Sequence, residues 1–319
     1  MTLRPRTLPE DQRPAETTSA TGDQWVIGHG HQRAVITEIG ATLRAFTVDD
    51  SPVIDGFGPE QWSQGGRGQV LAPWPNRLGD GRYTFDGIEA QAPLNEVSRA
   101  NAIHGLVRWL PWHMVGRAQN QVSLSCELHP APGYPFALRL TIEYRLGRDG
   151  LTVVVDADNT GPSDLPFGLG FHPYLTVGTP TVDQVRLKVP AELRLLTDER
   201  GLPTSVAPVA GTEFDFTDGR LIGVTRLDTA YTGLRRDADG RCRVEVDHPD
   251  GGRGITLWTD ERFGYLMVYT GDTLDPAEQR TAVAVEPMSC PPDAFRSGTD
   301  LSVLRPGARW TGSWGITPR

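Results

Sequence analysis

From Gln24 onward the chain runs in short segments that alternate apolar and polar residues. The clearest is Leu138-Arg-Leu-Thr-Ile-Glu-Tyr-Arg-Leu146, in which every second residue is apolar. A strand sends successive side chains to opposite faces, so this period predicts a strand with one buried face. Gln121–Leu128, Leu151–Ala157, Arg243–Val246, Ile255–Thr259 and Tyr265–Thr270 are similar segments. Seven Asp-Gly dipeptides, beginning at 55, 80, 86, 149, 218, 239 and 250, punctuate the chain. Asp-Gly suits the tight hairpin turn whose central residues take positive φ. In Arg145-Leu-Gly-Arg-Asp-Gly-Leu151 that turn joins two alternating runs directly, as an antiparallel hairpin requires.

Composition sharpens the picture by excluding helices. Glycine (36) and proline (26) are frequent among the 319 residues, and the longest stretch free of both is Arg117–His129. Both residues are poor in helix interiors, and an average helix needs about 11–12 residues. The expected fold is all-β: a large antiparallel β-sandwich with few short helices. The strong alternation favours stacked sheets over a single barrel. Residues 1–23 hold Pro, Arg, Glu, Thr and Ser without an apolar block. They read as a disordered N-terminal tail, followed by one domain over 24–319. A secretory signal needs an apolar core of 7–15 residues, so the expected location is cytoplasmic.

Charge and motifs exclude further classes. A net charge of −9 argues against a nucleic-acid partner, which requires a basic face. No run of about 18 apolar residues predicts a membrane span. Cys126, Cys242 and Cys290 are far apart and odd in number, which suits neither a disulfide framework nor a zinc knuckle. Lys188 is the only lysine, and it sits in an alternating run with Val185, Leu187 and Val189. A phosphate loop of the Gly-Lys-Ser/Thr type is therefore absent, and a Schiff-base role for Lys188 is not expected. Gly28-His-Gly30 and Gly168-Leu-Gly170 each lack the third glycine of a dinucleotide fingerprint. No metal site is indicated.

What remains is histidine, carboxylate and arginine in turn-rich places. His29, His31, His113, His129 and His248 read as surface or structural residues. His104, in Asn101-Ala-Ile-His-Gly-Leu-Val-Arg-Trp109, and His172, in Phe167-Gly-Leu-Gly-Phe-His-Pro-Tyr-Leu175, lie among aromatics beside glycine or proline. Such surroundings shift an imidazole pKa. Glu286 ends the apolar run Ala282-Val-Ala-Val-Glu286, either as a strand-end residue facing water or as a partly buried base. Asp228 reads equally as a turn residue or a functional one. Arg77 follows the rigid turn Pro73-Trp-Pro-Asn76, where its planar fork of donors suits vicinal hydroxyls or a carboxylate.

Taken in order, these segments resemble the aldose 1-epimerase (galactose mutarotase) family. The resemblance is carried by Ile39-Gly-Ala-Thr-Leu43, Asn76-Arg77 with Asp80–Gly87, Asn101-Ala-Ile-His-Gly105, Phe171-His-Pro-Tyr174, Leu227-Asp228, Tyr269-Thr-Gly271 and Val285-Glu286, and it spans roughly residues 24–316. It implies a galactose mutarotase-like supersandwich, a small-molecule sugar substrate and no cofactor. Glu286 would be the general base on the anomeric hydroxyl and His172 the general acid at the ring oxygen. His104 would hydrogen-bond that oxygen, while Arg77, Asp228 and, more weakly, Asn76 would hold sugar hydroxyls. Galactose-specific members usually carry Asn before the second histidine and His-Gly-Gly at the first. This chain has Phe171 and His104-Gly105-Leu106 there.

The chemistry needs one proton taken from O1 and another given to the ring oxygen. A carboxylate and a protonated imidazole on opposite sides of the acetal carbon are expected to do both. Trp74 or Trp109 could cover an apolar sugar face. Two alternatives share the fold: an epimerase of a charged sugar, such as a hexose 6-phosphate or 6-sulfonate, using Arg99 or Arg108, and a non-catalytic carbohydrate-binding protein. A glycoside hydrolase, with Asp228 and Glu286 as its two carboxylates, is more remote.

Overall fold

A computed structural model describes residues 19–319; the tail expected over 1–23 lies, for residues 1–18, outside the described residues. Ser19–Asp23 form a turn against the strand that follows, with Glu38 N–H donating to Asp23 O at 2.7 Å. No helix of the described residues is long and apolar enough to cross a membrane.

The alternating segments form strands with the faces expected of them. Leu138–Gly147 buries Leu138, Leu140, Ile142, Tyr144 and Leu146 and turns Arg139 and Arg145 outward. It pairs antiparallel with Gln121–Leu128 on one side and Gly150–Asn159 on the other. These strands belong to a nine-stranded antiparallel sheet whose middle is Arg309–Pro318. An eight-stranded sheet contains Val70–Leu71, Gly170–Phe171, Val283–Met288, Tyr265–Tyr269 and Asp228–Leu234 as successive neighbours. One large apolar core lies between these sheets, taking Ile142 and Val155 from the first and Val268 and Val285 from the second. The fold is all-β, a large antiparallel sandwich, and among the described residues its one α-helix is the four-residue Ala294–Ser297.

Turn chemistry follows the sequence closely. Asp86 and Gly87 take φ of +48° and +76° in the two-residue turn that pairs Phe85 with Ile88. Glycine tolerates that conformation freely, and Asp is one of the few other residues that does so at modest cost.

Candidate active site

The eight-stranded sheet has a second face, turned away from the main core. Asp228 pairs with Tyr269 and Met267 with Glu286, so these four residues share that face by register. The intervening residues Leu266, Val268, Val283 and Val285 enter the core instead. A cleft of about 710 Å³ opens here, and Asn76, Arg77, His104, His172, Asp228 and Glu286 all line it. None of the other five histidines does.

Glu286 is not at a strand end. It lies inside Val283–Met288, is 2% exposed, and has Ala284 and Met288, both fully buried, as same-face neighbours. Burial pushes its carboxyl well above the usual carboxylate range, with Asp228 adding to the rise and Arg77 opposing it. Its Oε1 is 3.3 Å from His172 Nε2, and its Oε2 is buried without a protein partner. Burial also draws the His172 imidazole down to about 3. A buried pair of this kind resists both a second proton and the loss of its first. Between those limits it holds one proton, on either the carboxylate or the imidazole. Glu286 and His172 therefore sit side by side in the cleft.

His172 is held from several directions. Its main chain bonds Gln69 O at 3.1 Å and accepts from Gly68 N–H at 2.9 Å. Its ring stacks on Tyr174, with centroids 5.0 Å apart and planes 14° from parallel. Tyr174 Oη donates to Gly65 O at 2.8 Å, and the Arg67 guanidinium lies 4.8 Å over the same ring. Arg67 is itself fixed by Asp55 at 3.2 Å and Glu278 at 3.1 Å. Gly66, at φ +81°, sits so close that a Cβ there would be 2.6 Å from His172 Cδ2. The Gly66→Ala variant should therefore lose about tenfold or more in activity and unfold at lower temperature. Overpacking costs about 1–3 kcal/mol, and left-handed backbone adds about 1–2 kcal/mol for alanine. Thermal unfolding beside the rate measures both, and a variant matching the wild type in each would show the contact to be soft.

His104 occupies a positive-φ turn (+66°) next to Gly105 (+64°), with its N–H donating to Asn76 O at 2.9 Å. Its ring meets that of His172 edge to face at 5.4 Å. Burial, then the neighbouring His172, Arg108 and Arg77, lower its pKa well below the ordinary imidazole value, so it is neutral. Its Nδ1, like that of His172, is buried without a partner. Asn76, also at positive φ (+54°), accepts from Arg77 N–H through Oδ1 at 2.9 Å.

Arg77 begins the short strand Arg77–Gly79 and is only 8% exposed. It donates to both oxygens of Glu96, at 3.2 and 3.0 Å, and to Asp228 at 3.3 Å. Arg99 lies 3.7 Å from Glu96 and 3.9 Å from Asp228. Of the two tryptophans weighed as a cover for the sugar, Trp74 is a core residue. It is 3% exposed, packs on Phe295 at 5.4 Å and donates to Ala102 O, outside the cleft. Trp109 does line the cleft, 49% exposed, and Trp62, 58% exposed, joins it from a loop that was not considered. Gly65-Gly66-Arg67-Gly68 was the available signal for that loop. Glu96 was also missed, and no local pattern marks it.

The aldose 1-epimerase family profile matches residues 23–317, and the chain belongs to that family. The protein YihR of Escherichia coli (strain K12) is 35% identical over 288 residues, which is 90% of each chain. The galactose mutarotase of Rattus norvegicus is 29% identical over 261 residues, covering 74% of this chain and 73% of that one. The GalM/aldose epimerase homologue from C. elegans superimposes with a TM-score of 0.82 at 19% identity, over 93% of this chain and 98% of that one. Family and fold together support mutarotase-type isomerase chemistry on a carbohydrate.

Proposed function

We propose that the protein is an aldose 1-epimerase, interconverting the α and β anomers of a hexose. The observation that carries this reading is the buried Glu286–His172 pair, 3.3 Å apart, at the floor of a cleft lined with hydroxyl-binding groups. With the shared proton on His172, Glu286 takes the O1 proton while His172 gives its own to the ring oxygen. The C1–ring oxygen bond breaks and O1 becomes an aldehyde oxygen. Rotation about C1–C2 and the reverse transfers close the ring on the other face. The pair starts and ends with one proton, so no net proton is exchanged in a turnover. His104, held neutral, donates a hydrogen bond to the ring oxygen, and Arg77, Asp228 and Asn76 hold hydroxyls. Trp109 and Trp62 offer aromatic faces to the sugar.

The test is exchange between anomer signals by NMR with purified protein, on glucose, galactose and sugars with charged 6-substituents. Exchange above the spontaneous rate on at least one is expected; failure on all would leave the carbohydrate-binding alternative in its place. The pH dependence is a second test. The acid limb requires a second proton on the pair, which the lowered His172 resists down to about pH 3. The alkaline limb appears when the shared proton leaves, above the usual carboxylate range. Saturated rates should thus not fall as pH is lowered from 7 to 5. A decline there with an ordinary imidazole midpoint would contradict the paired assignment.

A further inference from the structure

The charges lining the cleft do not balance. Arg77, Arg99 and Arg108 face Glu96 and Asp228, while Glu286 and His172 share one proton between them. Arg77 and Arg99 both engage Glu96 and Asp228. Among the described residues Arg108 has no carboxylate partner, its Nε is buried with no hydrogen-bond partner at all, and its one side-chain hydrogen bond is a long 3.5 Å approach to Gln69 Oε1. Arg108 is half-buried at the cleft wall, and a guanidinium that has lost part of its hydration without a counter-charge is costly to keep. Arg44 and Arg194 also leave Nε unpartnered, but Arg44 donates to Phe57 O, Arg194 lies on Phe214, and neither lines the cleft.

We infer that Arg108 is an anion-recognition residue, and that the sugar carries a negatively charged substituent that pairs with it. This rests on the epimerase reading for the sugar's orientation. With the ring oxygen at His172 and His104, the exocyclic C6 group hangs from the ring carbon on that oxygen's far side. Arg108 lines the same cleft four residues beyond His104, and C6 is the exocyclic position that can carry an oxyanion while leaving O1 and the ring oxygen free to react. The Trp109 ring, 5.5 Å from the Arg108 guanidinium, backs the cation without neutralising it. A 6-carboxylate, 6-phosphate or 6-sulfonate shares the chemistry required, a planar or tetrahedral oxyanion accepting two guanidinium N–H bonds.

Binding can be tested apart from catalysis with methyl glycosides, which cannot ring-open. Calorimetric titration would use the methyl glycosides of glucose, 6-O-methylglucose, glucuronate, glucose 6-phosphate and 6-deoxy-6-sulfoglucose. At least one anionic glycoside should bind about 10- to 100-fold tighter than both neutral ones, the range of a charge-assisted hydrogen-bonded pair. Which anion leads identifies the substituent. In Arg108→Gln that preference should fall by about tenfold or more, and Arg108→Lys should restore part of it. Equal binding of neutral and anionic glycosides by the wild type would overturn the inference even if Arg108→Gln failed to fold. So would a preference that survives Arg108→Gln. Failure of the epimerase reading would appear separately, as absence of anomer exchange with the binding preference intact.

Discussion

Replacing Glu286 by Gln should lower kcat for anomer exchange by about 10²- to 10⁴-fold, the span a positioned general base supplies, while KM changes by only a few-fold. The side chain keeps its size and its place among Ala284, Met288 and Met267, so the cleft should keep its shape. What is lost is the group that receives the O1 proton; an amide cannot take it. The variant also tests the burial argument. A carboxyl raised by desolvation is easier to bury as the neutral acid, so wild-type folding loses stability as pH rises from the ordinary carboxylate value toward the raised one. Gln does not ionise, and the wild-type decline on the alkaline side should flatten in the variant. Urea unfolding at neutral and alkaline pH reads this independently of catalysis. A variant retaining more than a tenth of the wild-type kcat would remove Glu286 from the role of base.

Several strands of the nine-stranded sheet were legible because they have one face in the core and one in water. Gln121–Leu128 and Leu138–Gly147 alternate for that reason. The central strands of the other sheet do not alternate. Both faces of Val283–Met288 are buried, one in the core and one beneath the cleft, so the run is continuously apolar apart from Glu286. Pro287 compounded the error. A proline removes a ladder donor and reads as a stop, yet the pairing continues through Pro287 to Met288. Glu286 therefore looked like a strand end while being a buried mid-strand carboxylate.

The site was legible where short motifs carried it and opaque where distant loops met. His104, His172, Asn76 and Arg77 stand beside glycines or prolines that set their backbones, and those are local facts. Glu96 reaches Arg77 across 19 positions, and Asp228 reaches it across 151. Nothing local could have shown that the grip on the sugar is a network of charges and not separate residues. The side to which Trp74 turns was open for a similar reason. Its neighbourhood marks a rigid turn, but which way the indole points depends on Phe295, more than two hundred positions away.

His172→Asn should cost kcat a similar factor, about 10²- to 10⁴-fold, and the double variant with Glu286→Gln should be hardly worse than the poorer single one. Independent groups would multiply their losses. Here one proton serves both residues, so removing either partner disables the exchange, and what remains for the second substitution to remove is small. The 3.3 Å separation makes the coupling physical, since neither group changes its protonation without changing the field at the other. Asparagine keeps a polar group near the Tyr174 ring but carries no exchangeable acid of suitable strength, so packing loss stays modest. The measurement is a double-mutant cycle on kcat at saturating sugar, with thermal midpoints recorded for all four proteins. Losses that multiply, with midpoints unchanged, would show that Glu286 and His172 act as separate catalysts and that the shared-proton assignment is wrong.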